Sequence, residues 1–304
     1  MGKKVAAIVV TYNRKELLAD CLNAICAQEF KPVCVYVIDN ASTDGTDEWI
    51  KENGYDGVKD SIDFRYVRLP ENIGGAGGFH TGLKMAHEAE DMFDAFWLMD
   101  DDGIPDMAQL KNLIAYLDQY DYLAPLVIAK EDNTRCAFYD YMVEEFKAKA
   151  VDGLIADEAC PFNGVLYSRK LVDMVGYPVK EMFIWGDEWN YHQRNRKAGF
   201  IPATVTKTIH VHPKDRQVKC KLWHEYYAVP EQDWKLYVYV RNYVYNVKAF
   251  SRRTRRFVRR CFETAWEYTY YFTFKKFSWR RLCIVYRAIF DAARGDMSRH
   301  KHYM

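Results

Sequence analysis

The sequence predicts an α/β fold: a mainly parallel sheet flanked by helices, joined to a basic, aromatic-rich helical C-terminal appendage. Three observations predict it. Continuous apolar runs at residues 5–10, 33–38 and 95–99, and a strand-like stretch at 64–69, each end in a polar or glycine-rich segment, as buried parallel strands do. Helix-like stretches alternate with these runs, which is the order that builds a parallel sheet with helices on both faces. Charge is split: residues 248–304 hold 15 basic and 4 acidic side chains and the rest 28 and 38, so the net +1 of this 304-residue chain is the sum of +11 and −10.

In chain order, the first strand, residues 5–10, runs into Thr11-Tyr12-Asn13. Residues 15–28 carry Leu17, Leu18, Cys21, Leu22, Ile25 and Cys26 at helical spacing. The second strand, 33–38, closes on Asp39-Asn40-Ala41-Ser42-Thr43-Asp44-Gly45, and 46–53 reads as a short helix. The third strand, 64–69, precedes a glycine-rich loop, residues 72–79, and a helix to about Ala89. The fourth, 95–99, runs into Asp100-Asp101-Asp102. Beyond it, 107–117 reads as a helix, 161–167 as a strand with a turn, and 183–198 as a loop becoming a helix. From Trp234 onward the pattern is aromatic and helical, which places a catalytic domain at 1–230 and a helical basic region at 231–304. In open α/β sheets ligands sit at the carboxyl ends of strands. The 11–13 loop, Asp39, the glycine loop and the Asp triplet should therefore line one crevice.

Composition excludes several classes. With 49% hydrophobic and 16% aromatic residues, disorder is not expected. No uncharged apolar run reaches the roughly 18 residues of a membrane span. A strand starting at Val5 leaves no room for a secretion signal. The eight cysteines form no CxxC pair and read as reduced, mostly buried thiols of a cytoplasmic protein, without a zinc site. A dinucleotide-binding glycine fingerprint would follow the first strand, whereas these glycines follow the third, which argues against a dehydrogenase.

Three segments carry chemistry. Three adjacent carboxylates repel one another unless a cation is present. In extended chain Asp100 and Asp102 point the same way, so they can share one cation while Asp101 faces elsewhere. Hard oxygen ligands suit Mg²⁺ or Mn²⁺. Phe183-Ile184-Trp185-Gly186-Asp187-Glu188-Trp189 sets two carboxylates among aromatics, where apolar neighbours raise basicity and suit a general base. The competing reading is an acidic first helical turn. His210 and His212 alternate on a strand-like run, and either could be a metal ligand, a phosphate contact or a structural residue.

Taken together, these segments resemble the family 2 glycosyltransferases of the GT-A fold over about residues 4–213. The resemblance rests on Val9-Val10-Thr11-Tyr12-Asn13-Arg14, Ile38-Asp39-Asn40-Ala41-Ser42-Thr43-Asp44-Gly45-Thr46 and Asn72-Ile73-Gly74-Gly75, then on Met99-Asp100-Asp101-Asp102, Phe183 to Glu188 with Arg194, and His212. It implies that Thr11, Asn13 and Asp39 hold the base and ribose of a nucleotide-sugar donor. Asn72, Gly74, Gly75, Asp101 and Trp185 join the donor site. Asp100 and Asp102 would hold Mn²⁺ or Mg²⁺ on the donor diphosphate, completed by His212, thirteen residues after Gly199. An Arg six residues after the acidic pair puts the general base on Glu188, with Asp187 as the alternative. Trp185 and Trp189 could form a sugar platform or pack in the core.

The full 72–79 loop resembles that of bacterial galactofuranosyltransferases using UDP-galactofuranose, and less closely that of rhamnosyltransferases using dTDP-rhamnose. The implied reaction is a single inverting displacement onto a glycan or lipid-linked acceptor of the cell envelope. Because galactofuranosyl polymerases are much longer, one or a few additions are expected. A non-catalytic sugar-nucleotide or membrane-binding module is the alternative of another class, and the intact acidic residues argue against it. The tail crowds Arg252, Arg253, Arg255, Arg256, Arg259 and Arg260 among aromatics. Such helices can lie on an anionic membrane surface, making the expected location the inner face of the cell membrane. Intramolecular packing and nucleic-acid binding are the rival readings, and no nucleic-acid partner is expected.

Overall fold

The computed structural model describes residues 2–214 and 219–304. In chain order the elements are β1 (Val5–Thr11), α1 (Lys15–Cys26), β2 (Cys34–Asp39), α2 (Thr46–Glu52), β3 (Val58–Lys59), β4 (Ile62–Arg68), α3 (Gly74–His87) and β5 (Ala95–Asp100). There follow β6 (Ile104–Pro105), α4 (Gln109–Ile114), β7 (Tyr122–Ala129), α5 (Val143–Lys147), β8 (Leu154–Ala156), β9 (Asn163–Ser168), α6 (Arg169–Val175), α7 (Asp187–Lys197) and β10 (Ala203–His212). The chain ends with β11 (Lys219–Lys221), β12 (Tyr226–Ala228), α8 (Asp233–Phe250), α9 (Thr254–Tyr270) and α10 (Trp279–Arg294). It divides into two compact units: Met1–Lys180 with Tyr191–Asp215, and Glu181–Asn190 with Arg216–Met304.

The first unit is built on a sheet of ten strands among the described residues, ordered β3-β4-β2-β1-β5-β9-β7-β10-β6, with β8 also on β10. Strands β4, β2, β1 and β5 run parallel, as do β7 and β10. Strand β1 shows why the layers form. Its residues are all apolar up to Thr11 and alternate between two cores. Val5, Ala7 and Val9 meet Leu18, Leu22 and Ile25 of α1, whereas Ala6, Ile8 and Val10 meet Phe79, Leu83 and Ala86 of α3.

The sheet is more mixed than the sequence suggests. Strand β9, read from the sequence, lies antiparallel between β5 and β7. Strand β7 was not predicted, because Pro125 interrupts its apolar run and proline demotes a central strand. The sheet accommodates Pro125 opposite Val205, where the β7–β10 register shifts between Val205 and Ile209.

The glycine segment also differs from the expected loop. Its helix already begins at Gly74. A Cβ on Gly78 would lie 2.5 Å from Val10 Cγ1, and one on Gly82 would lie 2.6 Å from Ile8 Cγ2. These two glycines therefore serve close helix-to-sheet packing. A Cβ on Gly75 would meet nothing within 4 Å, so that backbone faces open space.

In the second unit α8, α9 and α10 enclose their own core, which includes Leu236, Val240, Tyr268, Phe272, Val285 and Ala288. Tyr237 Oη donates to buried Asp291 at 2.8 Å, and Arg287 pairs with the same carboxylate at 3.0 Å. The tail is thus a packed helical structure on one side. Among the described residues, no helix is long and apolar enough to cross a membrane. All eight cysteines are free, with Cys21, Cys34, Cys136 and Cys160 buried and Cys283 exposed.

Candidate active site

Parallel pairing in register sets the site. Thr11 lies opposite Asp39, and Val10 opposite Asp100, so the carboxyl ends of β1, β2 and β5 bring these residues to one edge. Beyond β5 the chain turns, and each Asp acquires a different setting. Thr11 Oγ1 donates to Asp101 Oδ2 at 2.7 Å. Arg14 Nη1 reaches Asp101 Oδ1 at 3.1 Å and Asp102 Oδ2 at 2.9 Å. His212, the last residue of β10, sets Nε2 3.0 Å from Asp102 Oδ1, while its Nδ1 lies 2.6 Å from the Pro213 carbonyl oxygen. That contact leaves Nε2 to face the carboxylates.

Asp100, Asp102 and His212 each offer a ligand atom within 4.8 Å of the others. Desolvation, then the Asp102 charge, hold the Asp100 carboxyl well above the usual carboxylate range. Burial lifts Asp101 to about 6 even though Arg14 and Thr11 favour its charged form. Burial disfavours a charged His212, but the hydrogen bond and charge of Asp102 outweigh it and its pKa is raised. Two carboxylates and an imidazole within reach of one another form a donor set that a small divalent cation fits.

His210 behaves differently from its neighbour two residues on. It is fully buried, its Nδ1 lies 3.2 Å from Gln109 Oε1, and burial pushes its pKa down to about 3. A Cβ on Gly103 or Gly164 would collide with its ring. His210 is a core residue, not part of the acidic cluster.

The predicted donor loops are tied to one another. Asp39 is fully buried and accepts from Ser42 N at 2.8 Å and from Tyr66 Oη at 2.6 Å. Asn13, at φ 52°, accepts from Thr43 N through Oδ1 at 2.7 Å, and its own N–H donates to Ser42 Oγ at 2.9 Å. Asn72 Oδ1 accepts from Gly74 N at 2.8 Å, which fixes the entry to α3. Asn40 spans Ile73 N and the Gly74 carbonyl, both at 3.3 Å. Much of the polar sequence here therefore shapes the loops.

The acidic pair belongs to the second unit. Asp187 is buried and Glu188 half-buried in the first turn of α7. The preceding segment is unusual: Phe183, Trp185 and Gly186 have φ of 69°, 64° and 82°, a region costly for aromatic residues. Three side chains of α8 hold it. Asn242 Nδ2 donates to the carbonyls of Met182, Ile184 and Trp185 at 2.7–2.9 Å. Arg241 Nη2 donates to Met182 O at 2.8 Å, and Asn246 Nδ2 to Gly186 O at 2.9 Å. Asn190, one turn into α7, donates to Asn246 Oδ1 at 2.8 Å. Trp185 lies under the Lys235 ammonium, 5.9 Å from ring centre, and Trp189 packs edge-on against Phe250 while 46% exposed. Arg194, in the first-unit part of the same helix, donates to the carbonyls of Val175 and Tyr177.

Sequence reading missed Tyr66, the bridging role of Arg14, and the Arg241-Asn242-Asn246 clamp. Only the clamp left a signal: polar residues one and four apart within an otherwise aromatic and aliphatic helix, each of which would need buried partners.

Residues 6–173 match the glycosyl transferase family 2 profile. The chain is 32% identical to the galactofuranosyltransferase GlfT1 of Mycolicibacterium smegmatis, covering 69% of this chain and 70% of that protein. It is 31% identical to GlfT1 of Mycobacterium tuberculosis, covering 80% and 81%. A solved mannosyltransferase, PcManGT from Pyrobaculum calidifontis, in complex with GDP-Man and Mn²⁺, superimposes over 97% of this chain and 76% of its own, with a TM-score of 0.55 at 17% identity. The fold is therefore GT-A, with a mixed, mostly parallel sheet. The chain belongs to glycosyl transferase family 2 and is a sugar-transferring enzyme.

Proposed function

We propose that this enzyme transfers galactofuranose from UDP-galactofuranose to a glycan or lipid-linked acceptor of the bacterial cell envelope, with inversion and with a divalent metal. The observation that carries the reading is the convergence of Asp100, Asp102 and His212 at strand ends, in a chain about one-third identical to galactofuranosyltransferases. Asp100, Asp102 and His212 would hold Mn²⁺ or Mg²⁺, which supplies charge neutralisation for the leaving diphosphate.

The remaining work falls to the chain. Asp39, buried and oriented by Tyr66 and Ser42, accepts hydrogen bonds from the donor nucleoside. Thr11, Asn13, Asn72, Gly74 and the open backbone at Gly75 contour the donor loops, and the Trp185 ring would supply an aromatic surface for the sugar. Asp101 draws Arg14 and Thr11 together. Glu188, or Asp187 in its place, takes the proton of an acceptor hydroxyl. That oxygen bonds to the anomeric carbon as the bond to the β-phosphate oxygen breaks, and UDP departs. The acceptor class puts the enzyme on the inner face of the cell membrane.

The test is UDP release from UDP-galactofuranose with Mn²⁺ or Mg²⁺, run beside dTDP-rhamnose. We expect Asp102→Ala to lower turnover by at least about 10²-fold. Undiminished turnover would sink the metal assignment. Faster release from dTDP-rhamnose would replace the donor, and nucleotide binding without turnover of either would replace the enzyme with a binding module.

A further inference from the structure

Helices α9 and α10 each bury one face in the second unit's core and leave the other open. On α9 Thr264, Glu267 and Tyr268 are buried. Val258, Phe262 and Trp266 recur at every fourth position and are 43, 73 and 59% exposed, a spacing that keeps them on one stripe. The stripe continues as a contiguous patch of rings. Trp266 lies 5.8 Å from Trp223, which lies 4.3 Å from Tyr270, itself 5.6 Å from Phe274. At the bend before α10, Phe274, Phe277 and Trp279 are 75, 81 and 69% exposed. The open stripe of α10 adjoins this patch, since Tyr286 Oη lies 2.9 Å from Thr269 Oγ1.

Scattered exposed apolar residues are ordinary, but a contiguous aromatic patch marks an interaction face. Its charge identifies the partner. Arg252, Arg253, Arg255, Arg256 and Arg259 lead into the stripe, and Lys275, Lys276 and Arg280 surround the bend, all exposed. Arg259 pairs with Glu263, and Arg280 with Asp233. No carboxylate among the described residues pairs with Arg252, Arg253, Arg255 or Arg256. A self-complementary dimer would press two such basic faces together. Trp, Tyr and Phe beside Arg and Lys instead match the interface of an anionic bilayer, where rings sit at headgroup depth and cations meet lipid phosphate. Among the described residues no helix is long and apolar enough to cross a membrane, and the aromatic face is one side of helices whose other side is packed.

We propose that this face is a monotopic membrane-binding surface: the ridge of Phe262, Trp266, Phe274, Phe277 and Trp279 enters the interfacial layer of an anionic bilayer, and the flanking arginines and lysines contact its phosphates. The inference rests on the proposed membrane-side function, but its test needs neither donor nor acceptor, so either can fail alone.

The experiment is flotation of the full chain with phosphatidylcholine vesicles, with and without phosphatidylglycerol. Binding is expected only with phosphatidylglycerol. Phe262→Ser combined with Trp266→Ser and Phe277→Ser should weaken it at least about tenfold, and Arg255→Gln with Arg256→Gln about 30-fold. Thermal melting and UDP release should stay unchanged in both variants, because every substituted side chain is exposed. Failure of the wild-type chain to float, or flotation indifferent to both variants, would overturn the proposal. So would a dimer in sedimentation velocity that the Trp266→Ser variant dissolves, or tighter binding to a single-stranded oligonucleotide than to the anionic vesicles.

Discussion

Arg14 shows how a few atoms set the state of the acidic cluster. Its guanidinium touches two carboxylates of a triplet whose charges repel, so it acts as an internal cation before any ligand binds. Removing it leaves that repulsion uncompensated, and a bound divalent ion should restore the balance. We expect Arg14→Ala to lower Tm by a few degrees in chelator, with most of the loss recovered when Mn²⁺ is added; calorimetry in the two buffers checks this. A second expectation concerns thiols. Burial pushes the Cys34 thiol up to about 12 and Cys21 well above the ordinary value, and the thiolate is the reactive form. At pH 8 a maleimide should therefore label exposed Cys283 in the native protein and spare Cys21 and Cys34, as peptide mass mapping would show. The nearness of Asp100, Asp102 and His212 was legible from family order, although a turn after β5, not strand alternation, brings the two carboxylates together. Separating His210 from His212 was not, because two residues on one strand face look alike until Gly103 and Gly164 close around one of them.

Among the elements, α8 has the widest reach. Strands β1, β2, β4 and β5 and helices α1 and α2 were readable from the sequence to within a few residues, whereas the two-residue β3 was not. Strand β7 was hidden by Pro125, whose tolerance depends on a bulge in a strand some eighty residues later. The function of α8 was equally hidden, since its polar residues are explained only by the carbonyls they satisfy. Asn242→Ala would take the side-chain donor from the carbonyls of Ile184 and Trp185, while Met182 O keeps Arg241, and buried unsatisfied groups cost about 1–3 kcal/mol each. We expect the variant to fall in kcat far more than it rises in KM for the donor, because it loosens the acidic pair while leaving the Asp39 loops intact. Steady-state kinetics with a denaturant titration separates the two effects. An unchanged kcat would show that the left-handed turn at Trp185 and Gly186 holds itself.

For the whole molecule, near-neutrality conceals two oppositely charged parts, and the structure gives each a place: an acidic cluster at the sheet edge and a basic ridge on the outer helices. It follows that deleting residues 248–304 cannot be read as removal of an anchor alone. The deletion takes away Asp291, which accepts from Tyr237, and the Met297 carbonyl, which accepts from Arg241. We expect the shortened chain to lose UDP release as well as vesicle binding and to melt earlier, whereas the ridge variants lose vesicle binding only. Running all of them side by side by circular dichroism, flotation and turnover tests that distinction.

The split membership of residues 181–190 bears on biosynthesis. The chain enters the second unit at Glu181, leaves it at Asn190 and re-enters after Asp215. On the ribosome the sheet can close once β10 has emerged, since domains fold largely in the order of synthesis. The turn before Asp187 and Glu188 must then wait for α8, and α8 must wait for the last residues that brace it. A nascent chain with its acidic cluster already assembled would therefore hold residues 181–190 unseated until α8 has been made, so the sheet and the turn before Asp187 mature at different moments of synthesis.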